Sequence, residues 1–279
     1  MELTVLVDNH TLIDRYFLGE PGLSLFIQEG DRRILLDVGY SDIFILNAQK
    51  MGLDLRHLDY VVLSHGHLDH TWGLVPLIRL FTEAAIEGLP HRRPTIVGHP
   101  DLLQTKTLPG LPEIGSILDG LKLARHFPLQ LCPTPLALSD RLLFLGEIER
   151  RFDFEASEAL GQIVTGDDHQ PDFLLDDSAL AYKSPQGLVI IVGCAHAGIC
   201  NIVDYARQVC GEDRVLDIIG GLHLLNPTAE RLEKTAAYLA NLNLQGLHAC
   251  HCTDLRSKIA LAQVALLREV GVGLQLAYP

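Results

Sequence analysis

Long apolar segments are missing from this sequence of 279 residues. No apolar run approaches the roughly 20 residues that a membrane-spanning helix needs, so no membrane partner is expected. The N-terminus also has no basic region and no cleavage site, and it enters a strand pattern at once, which argues against a secretory signal. We therefore expect a cytoplasmic protein.

Basic residues are also scarce. The chain has 22 Lys and Arg against 35 Asp and Glu, which gives a formal net charge of −13. Surfaces that bind nucleic acid need clustered Lys and Arg to contact phosphates, so this charge argues against a nucleic-acid partner. Low-complexity tracts and internal repeats are absent as well.

The six cysteines do not have the spacing of a small secreted disulfide scaffold. In a cytosolic chain they are expected to be reduced thiols. Cys250 and Cys252 suggest a metal pair, but strand alternation would place both on one face and His251 on the other. We interpret the two as buried packing thiols.

Apolar residues are plentiful, at 48% of the chain, and predict a substantial core. We expect a single domain over residues 1–279. Its opening third predicts antiparallel strands at residues 3–7, 23–28 and 33–37. Residues 82–186, which are rich in proline, predict an irregular elaboration that covers a site, and residues 161–177 within it predict an exposed loop.

The most informative segment is residues 64–70, Ser-His-Gly-His-Leu-Asp-His. It follows the apolar run 59–63, which predicts a buried strand, and it leads into a predicted helix. Three imidazoles and a carboxylate at one strand-to-helix turn are typical ligands of divalent transition metals, and open sheets place their sites at such turns. Because four donors on one turn are too many for one open metal position, we predict a site for two metals.

Three later turns have the same context. Strands predicted at 188–192, 215–219 and 246–250 are each followed by a turn with one histidine and then by a helix. The histidines are His196, His223 and His251, and the helix after His251 is predicted over about residues 254–269. Parallel strands in successive right-handed units bring such turns to one edge of the sheet, so the four turns are expected to converge.

We assign the donors to two positions on stereochemical grounds. One metal is expected on His65, His67 and His196, and the other on Asp69, His70 and His251. Three protein ligands with an open position are typical of catalytic zinc, and manganese or iron is the alternative. Two adjacent metals that share a hydroxide supply a nucleophile at neutral pH and a clamp for anionic oxygen. Asp69 is expected to act as a partner of the attacking water as well as a ligand.

The role of Asp37, which ends the strand at 33–37, stays open between two alternatives. It is either a carboxylate that stabilises its own turn, or an acceptor that orients a ligand imidazole from behind.

These residues resemble the metallo-β-lactamase superfamily over essentially the whole chain. The resemblance lies in Asp37 of Leu-Asp-Val-Gly, the motif from His65 to His70, His196 after Gly-Cys-Ala, and His251. It implies an αββα sandwich with mixed sheets, helices outside and a dinuclear site at one edge. The branch that it resembles more closely is similar to 7,8-dihydropterin-6-ylmethyl-4-(β-D-ribofuranosyl)aminobenzene 5′-phosphate synthase, through segments such as Asp176-Asp177 and Gly220-Gly221-Leu222-His223.

The chain departs from the superfamily's hydrolase pattern after the strand at 215–219. The bridging aspartate that such enzymes usually have there is absent, and no carboxylate follows before Glu230. His223 occupies this turn, and one neutral nitrogen cannot bridge two metals as a carboxylate does. We expect His223 to be either a terminal ligand or, preferably, a catalytic donor of a hydrogen bond to substrate.

The resemblance implies a metal-dependent hydrolase or transferase that acts on a small anionic, phosphate-bearing metabolite. Arg150 and Arg151 are candidate outer contacts, although a solvated pair beside Glu147 and Glu149 is the favoured interpretation. A glyoxalase II-like thioesterase or lactonase is the first alternative, and a non-catalytic metal-binding protein the second. His67 argues against a diiron oxidoreductase of the same fold. An assembly of identical chains stays open.

Overall fold

A computed structural model describes all residues, 1–279, and consists of two large mixed sheets, one small sheet and seven helices. The strands are β1 (Glu2–Val7), β2 (Ser24–Glu29), β3 (Arg32–Leu36), β4 (Tyr60–Val62), β5 (Thr95–Gly98), β6 (Thr105–Thr107), β7 (Leu129–Leu131), β8 (Leu136–Ala137), β9 (Leu142–Phe144), β10 (Gln162–Thr165), β11 (Asp168–Pro171), β12 (Ala179–Ser184), β13 (Gly187–Val192), β14 (Val215–Gly221), β15 (Gly246–Cys250) and β16 (Gln275–Ala277). The helices are α1 (Ile43–Lys50), α2 (Leu68–Thr71), α3 (Leu74–Ile86), α4 (Gly120–His126), α5 (Ile199–Cys210), α6 (Ala229–Ala240) and α7 (Leu255–Leu261). None of these helices combines the length and the apolar character that a bilayer crossing requires.

The first large sheet has the order β16-β1-β2-β3-β4-β5-β7, and the second β15-β14-β13-β12-β9-β8. As predicted, β1, β2 and β3 pair antiparallel, and β13, β14 and β15 pair parallel. The carboxyl ends of β3, β4, β13, β14 and β15 therefore supply neighbouring turns. These turns form the edge on which the site is built.

Three buried clusters show why the sheets stack. One cluster lies between the two sheets and joins residues such as Leu25 and Ile34 of the first sheet to Leu180 and Ile191 of the second. A second cluster packs the first sheet on α1 and α3, and a third packs the second sheet on α5, α6 and α7. These layers confirm the predicted αββα sandwich with helices outside.

Four sequence predictions need correction. Residues 82–186 are not one elaboration, because β5, β7, β8, β9 and β12 belong to the two large sheets. Residues 161–171 are largely exposed, as predicted, but the segment 161–177 is not a loop and not exposed throughout. It contains the β10–β11 hairpin, which pairs with β6, and the buried Asp172, Asp176 and Asp177. The predicted turn at 220–221 is the end of β14, and the last predicted helix stops at Leu261 instead of reaching residue 269. The segment after that helix pairs with Leu247 through the backbone of Leu266 and Arg268, so it cannot remain helical.

Candidate metal centre

The predicted donors occupy strand ends or the short helix that follows one. His65 and His67 follow β4, and Asp69 and His70 lie in α2. Gly66 is required between the two histidines because a Cβ at this position would clash with the carbonyl oxygen of Leu102. The turn can therefore press against the neighbouring chain while its side chains face the edge of the sheets.

The three ligands predicted for one metal, His65, His67 and His196, come together and are called the first trio. The ring nitrogens His65 Nε2 and His67 Nδ1 lie 3.0 Å apart. The ring centroid of His196 is 4.7 Å from that of His65 and 4.8 Å from that of His67. Two nitrogens that share a zinc ion at about 2.0–2.1 Å are separated by roughly 3.3 Å in a tetrahedral site. The distance between the nitrogens of His65 and His67 is close to that requirement, and the ring of His196 lies beside both.

The three ligands predicted for the other metal, Asp69, His70 and His251, also come together and are called the second trio. His70 Nε2 and His251 Nε2 lie 3.3 Å apart, and Asp69 Oδ2 is 3.4 Å from His251 Nε2. The same carboxylate oxygen is 3.8 Å from His70 Nε2. The two trios are adjacent, because the ring centroids of His65 and His70 are 4.2 Å apart.

A polar side chain supports the rear nitrogen of three of these rings. His65 Nδ1 faces Ser64 Oγ at 3.0 Å, and His251 Nδ1 faces Asn9 Oδ1 at 3.0 Å. His70 Nδ1 lies 2.7 Å from Asp37 Oδ2. These acceptors place the hydrogen on Nδ1 and leave the Nε2 lone pair directed at the site, as in metal centres.

Asp37 orients a ligand imidazole, which is one of the two alternatives, and the turn that it stabilises is not its own. Its Oδ1 accepts from Ser64 N at 2.7 Å and thereby stabilises the turn after β4. Its Oδ2 accepts from Ser64 Oγ at 2.7 Å and also contacts His70. One buried carboxylate therefore supports a ring in each trio, directly for His70 and through Ser64 for His65.

Burial and charge set the protonation of the rings. Burial lowers the pKa of His65 and lowers the pKa of His67 to about 4, so both are neutral at neutral pH. Burial also acts to lower the pKa of His70, but the carboxylates of Asp69 and Asp37 outweigh it and raise that pKa to about 9. Burial disfavours the charged form of Asp69, yet His70 and His251 hold its pKa well below the usual range. The first trio is thus ready for a cation, whereas the second holds a proton that a cation would replace.

Backbone strain is concentrated at the same edge. Asp37, Ala195, His223 and His251 have positive φ angles of 56°, 54°, 47° and 50°. Residues other than glycine, asparagine and aspartate rarely adopt this conformation, which is found disproportionately at functional sites. The positive φ of His251 also corrects the prediction that side chains alternate between two strand faces through residues 250–252. The strand ends at Cys250, alternation stops there, and His251 turns towards the site while Cys250 stays in the core.

His223 points into the site, as predicted. Its ring centroid is 4.1 Å from that of His196, and its buried Nδ1 has no hydrogen-bond partner. The histidine borders a cavity of about 540 Å³ together with four of the six donors, His67, Asp69, His196 and His251. The rest of the lining is mostly apolar and includes Tyr40, Leu108, Leu111, Ile114, Leu160 and Leu225.

Arg150 and Arg151 are not brought to this cavity. Arg150 donates to the carbonyl oxygens of Phe173 and Leu174, and Arg151 pairs with Glu149 and Asp204. No lysine or arginine lines the cavity. The structure therefore gives these two arginines structural contacts elsewhere and supplies no contact to a substrate.

Sequence reasoning gave no role to a buried acidic pair behind the site. Asp176 Oδ2 accepts from Gly66 N at 2.7 Å, and Asp177 Oδ2 accepts from Ala197 N at 2.8 Å, beside His196. Burial raises the pKa of Asp177 to about 7. The adjacent aspartates at 176 and 177 were the available signal in the sequence. Because acidic residues are usually exposed, the segment that contains them was predicted to be an exposed loop.

Lys106 neutralises part of that acidic charge. Its Nζ is 2.6 Å from Asp176 Oδ1 and 3.0 Å from Asp172 Oδ2, and all three side chains are buried. Burial acts to lower the pKa of Lys106, but the two carboxylates outweigh it and raise that pKa. The spacing of these residues along the chain gave no indication of this contact.

Comparison with known proteins agrees with this geometry. A family model described as the metallo-beta-lactamase superfamily matches residues 18–200. A protein of Methanocaldococcus jannaschii, named 7,8-dihydropterin-6-methyl-4-(beta-D-ribofuranosyl)-aminobenzene-5'-phosphate synthase, is 26% identical over 273 residues. The match covers 92% of this chain and 89% of that protein.

Solved structures show the same fold. The crystal structure of Tm1679, a metal-dependent hydrolase of the beta-lactamase superfamily, matches with a TM-score of 0.83 and 25% identity over 99% of this chain and 98% of that one. A diphosphatase of the PhnP family matches with a TM-score of 0.53 and 15% identity over 100% and 98% of the two chains, which shows a common fold.

Proposed function

We propose that this chain, which belongs to the metallo-β-lactamase superfamily, is an enzyme that uses two divalent transition-metal ions to act on a phosphate-bearing small molecule. The observation that carries the proposal is the pair of adjacent donor trios, in which acceptors on Nδ1 aim the Nε2 lone pairs of His65, His70 and His251 inward. The buried Nε2 atoms of His67 and His196 have no partner at all.

The donor set fits two metals of the zinc type. His65, His67 and His196 would hold one ion, and Asp69, His70 and His251 the other. When bound, the ions supply Lewis-acid polarisation of an anionic oxygen and a nucleophile at neutral pH. Imidazole donors favour zinc, and manganese or iron remains compatible with the carboxylate.

The chain's own residues then perform three tasks. Asp69 is ionised and partly open to the cavity, so its carboxylate accepts a hydrogen bond from the attacking water and orients it. His223 faces the same space from the end of β14 and donates to a substrate oxygen as negative charge develops there. Asp37 and Asn9 keep the rings of His70 and His251 in the tautomer that leaves Nε2 free.

The cavity suits a substrate with an apolar or aromatic body. Leu108, Leu111, Ile114 and Leu160 form one wall, and no cation other than the bound metals would meet the anionic end. The name of the M. jannaschii relative describes a pterin joined to an arylamine ribosyl phosphate. A flat ring system against leucines, with phosphate at the metals, matches this division of the cavity, so we propose a pterin-type or arylamine-type phosphate as substrate.

The lack of a basic side chain in the lining also favours a second candidate. A thioesterase or lactonase of the glyoxalase II type acts on carbonyl esters and needs no cationic side chain for a phosphate. The absence of Lys and Arg from the lining is the specific observation in its favour.

The test combines metal analysis with a substrate panel. Purified protein would be assayed for zinc, manganese and iron, and then for turnover of bis(p-nitrophenyl) phosphate, pterin phosphates, thioesters and lactones. We expect up to two metals per chain and turnover of phosphate compounds. Asp69→Asn should lower the turnover by roughly 10² or more, since it removes the charge and the proton acceptor. The exposed Asp31→Asn serves as the matched control.

The outcomes separate the candidates. Turnover confined to thioesters or lactones would replace the phosphate proposal with the second candidate. A metal-loaded protein that is inactive on the whole panel would favour a non-catalytic metal-binding protein. A chain that binds no metal would overturn the proposed function.

A further inference from the structure

We infer that Cys194 supplies a thiolate ligand shared by both metal positions, an inference that rests on the proposed function. Cys194 follows β13 and precedes His196 by two residues. Its side chain is buried, with 4% exposed. The sequence assigned Cys194 no role beyond that of a reduced thiol.

The geometry connects Cys194 to each trio. Its Sγ and the ligand atoms of His65 and His196 all lie within 4.8 Å of one another. The same holds for its Sγ with the ligand atoms of His70 and His251. Cys194 is the one residue that the two groups have in common, and its Sγ lies 3.3 Å from His70 Nε2.

A second observation points to a ligand at this place. His196 is 6% exposed, and its Nε2 is buried without a hydrogen-bond partner. A buried nitrogen with no partner costs free energy unless a bound group satisfies it. The sulfur of Cys194 and a ring nitrogen of His196 belong to one candidate group, so a cation held there would have both residues as ligands.

The chemistry of sulfur explains why the shared position suits a cysteine. A neutral imidazole offers a single lone pair for coordination, whereas a thiolate has several and can contact two cations at once. The thiol proton leaves to solvent when the metal binds. Because thiolate is a soft ligand, Cys194 would also shift the preference of the site towards zinc and away from manganese.

Cys252 is nearby but has other contacts. Its Sγ accepts from the backbone N of His223 at 3.2 Å and lies 3.5 Å from the carbonyl oxygen of Cys194, to which it donates. It belongs to neither candidate group. Cys252 is therefore the matched control, since it is the same residue type in the same cavity.

The experiment is zinc X-ray absorption spectroscopy of the zinc-loaded full chain. A Zn–S distance of about 2.3 Å is resolved from Zn–N and Zn–O distances of about 2.0–2.2 Å. We expect a sulfur shell in the wild type and in Cys252→Ala, and its loss in Cys194→Ala at a zinc content of at least one per chain. Circular dichroism would verify that each variant is folded.

Cobalt loading gives a second measurement if Cys194→Ala does not fold. The wild type should show a thiolate-to-cobalt charge-transfer absorption in the near ultraviolet, and the nearly isosteric Cys194→Ser should lose it. Zinc bound with only nitrogen and oxygen neighbours would overturn this inference and leave the proposed function intact. A sulfur shell that persists in Cys194→Ala and disappears in Cys252→Ala would also overturn it. A chain that binds no metal would overturn both.

Discussion

The cavity has a floor and a wall that are built by opposite means. The floor consists of the metal donors and His223 on the turns after β4, β13, β14 and β15. It is polar, and acceptors such as Asp37 and Asn9 support its rings from behind. The wall consists of Leu108, Leu111, Ile114 and Leu160, which lie around the small sheet β6-β10-β11. It is apolar and carries no group able to take part in proton transfer.

The difference indicates how the two tasks are divided. The floor determines the reaction and tolerates few substitutions, because the ligand atoms must keep their positions to within fractions of an ångström. The wall determines which substrate fits the cavity, and it tolerates substitutions better. The two meet at Asp176, which accepts from Gly66 N in the floor and from Lys106 Nζ beneath the wall. If this division is right, substitutions in the floor should change metal content and turnover, and those in the wall should change substrate binding.

The largest effect is expected in the floor from His196→Ala. This variant removes a ligand of the first trio and should lower the metal content by one ion per chain. Activity should fall by about 10³ or more, which is beyond the 10- to 100-fold loss typical of residues behind a ligand. Elemental analysis and initial rates would measure both. The control is His169→Ala, which changes an exposed histidine on β11. Full metal content in His196→Ala would contradict the division.

Lys106→Met tests the junction between floor and wall. The change leaves Asp172 and Asp176 buried without their cation, and breaking such a pair costs about 3–5 kcal/mol. Urea unfolding of the metal-free protein should show this loss, whereas Lys122→Met on the exposed side of α4 should change stability by less than about 0.5 kcal/mol. An unchanged midpoint for Lys106→Met would show that the buried cation does not hold the wall in place.

Asp37→Asn tests support from behind the ligands. Asparagine keeps the size of the side chain but weakens the acceptor for His70 Nδ1 and for Ser64 Oγ. Loss of such a partner typically costs 10- to 100-fold in metal affinity or activity. Competition with a chromophoric chelator would give the zinc affinity. The control is Asp168→Asn, on the exposed hairpin of the small sheet. Equal affinities of Asp37→Asn and the wild type would reduce Asp37 to a turn-stabilising residue.

The floor could be predicted from the sequence, and the wall could not. Four donors within six residues after an apolar strand are dense enough to exclude an ordinary loop. The three single histidines became interpretable because each followed a parallel strand, and parallel strands end at one edge. Both signals are local patterns of spacing, and the structure brings all six predicted ligands together.

The wall depends on contacts between residues far apart in the chain. Lys106 and Asp176 are separated by 70 positions, and no local pattern connects them. The aspartates at 172, 176 and 177 were assigned to solvent because isolated acidic residues are usually exposed. Only a buried cation or backbone donors make their burial tolerable, and those partners are visible only in three dimensions. The same reason kept Cys194 hidden, since its neighbours come from three different turns, those after β4, β13 and β15.

Asp177→Asn tests the carboxylate that touches the floor from the wall side. Burial raises the pKa of Asp177 from 3.8 to about 7, so between these values the folded chain keeps a proton that the unfolded chain releases. Stability therefore falls as the pH rises through this window. Relative to Asp177→Asn, the metal-free wild type should lose about 2.5 kcal/mol between pH 5 and pH 8. Urea unfolding at both pH values measures this difference. Parallel stabilities of the two proteins would show that Asp177 is already ionised at pH 5.

Leu111→Ala is expected to have the smallest effect, and it separates the two parts of the cavity most directly. Leu111 lines the wall, and half of its surface is exposed (51%), so truncation should hardly affect folding. A lost apolar contact with substrate is worth about 1–3 kcal/mol, or roughly 10- to 200-fold, for a fully enclosed group, and the open position of Leu111 should reduce this to a few-fold. Because such a contact is equally strong in the ground state and the transition state, KM should rise while kcat and metal content stay unchanged. Leu121→Ala, at an exposed leucine of α4 outside the cavity, should leave both constants unaltered. A fall in kcat with constant KM would mean that the wall takes part in the chemical step, and the division between floor and wall would then fail.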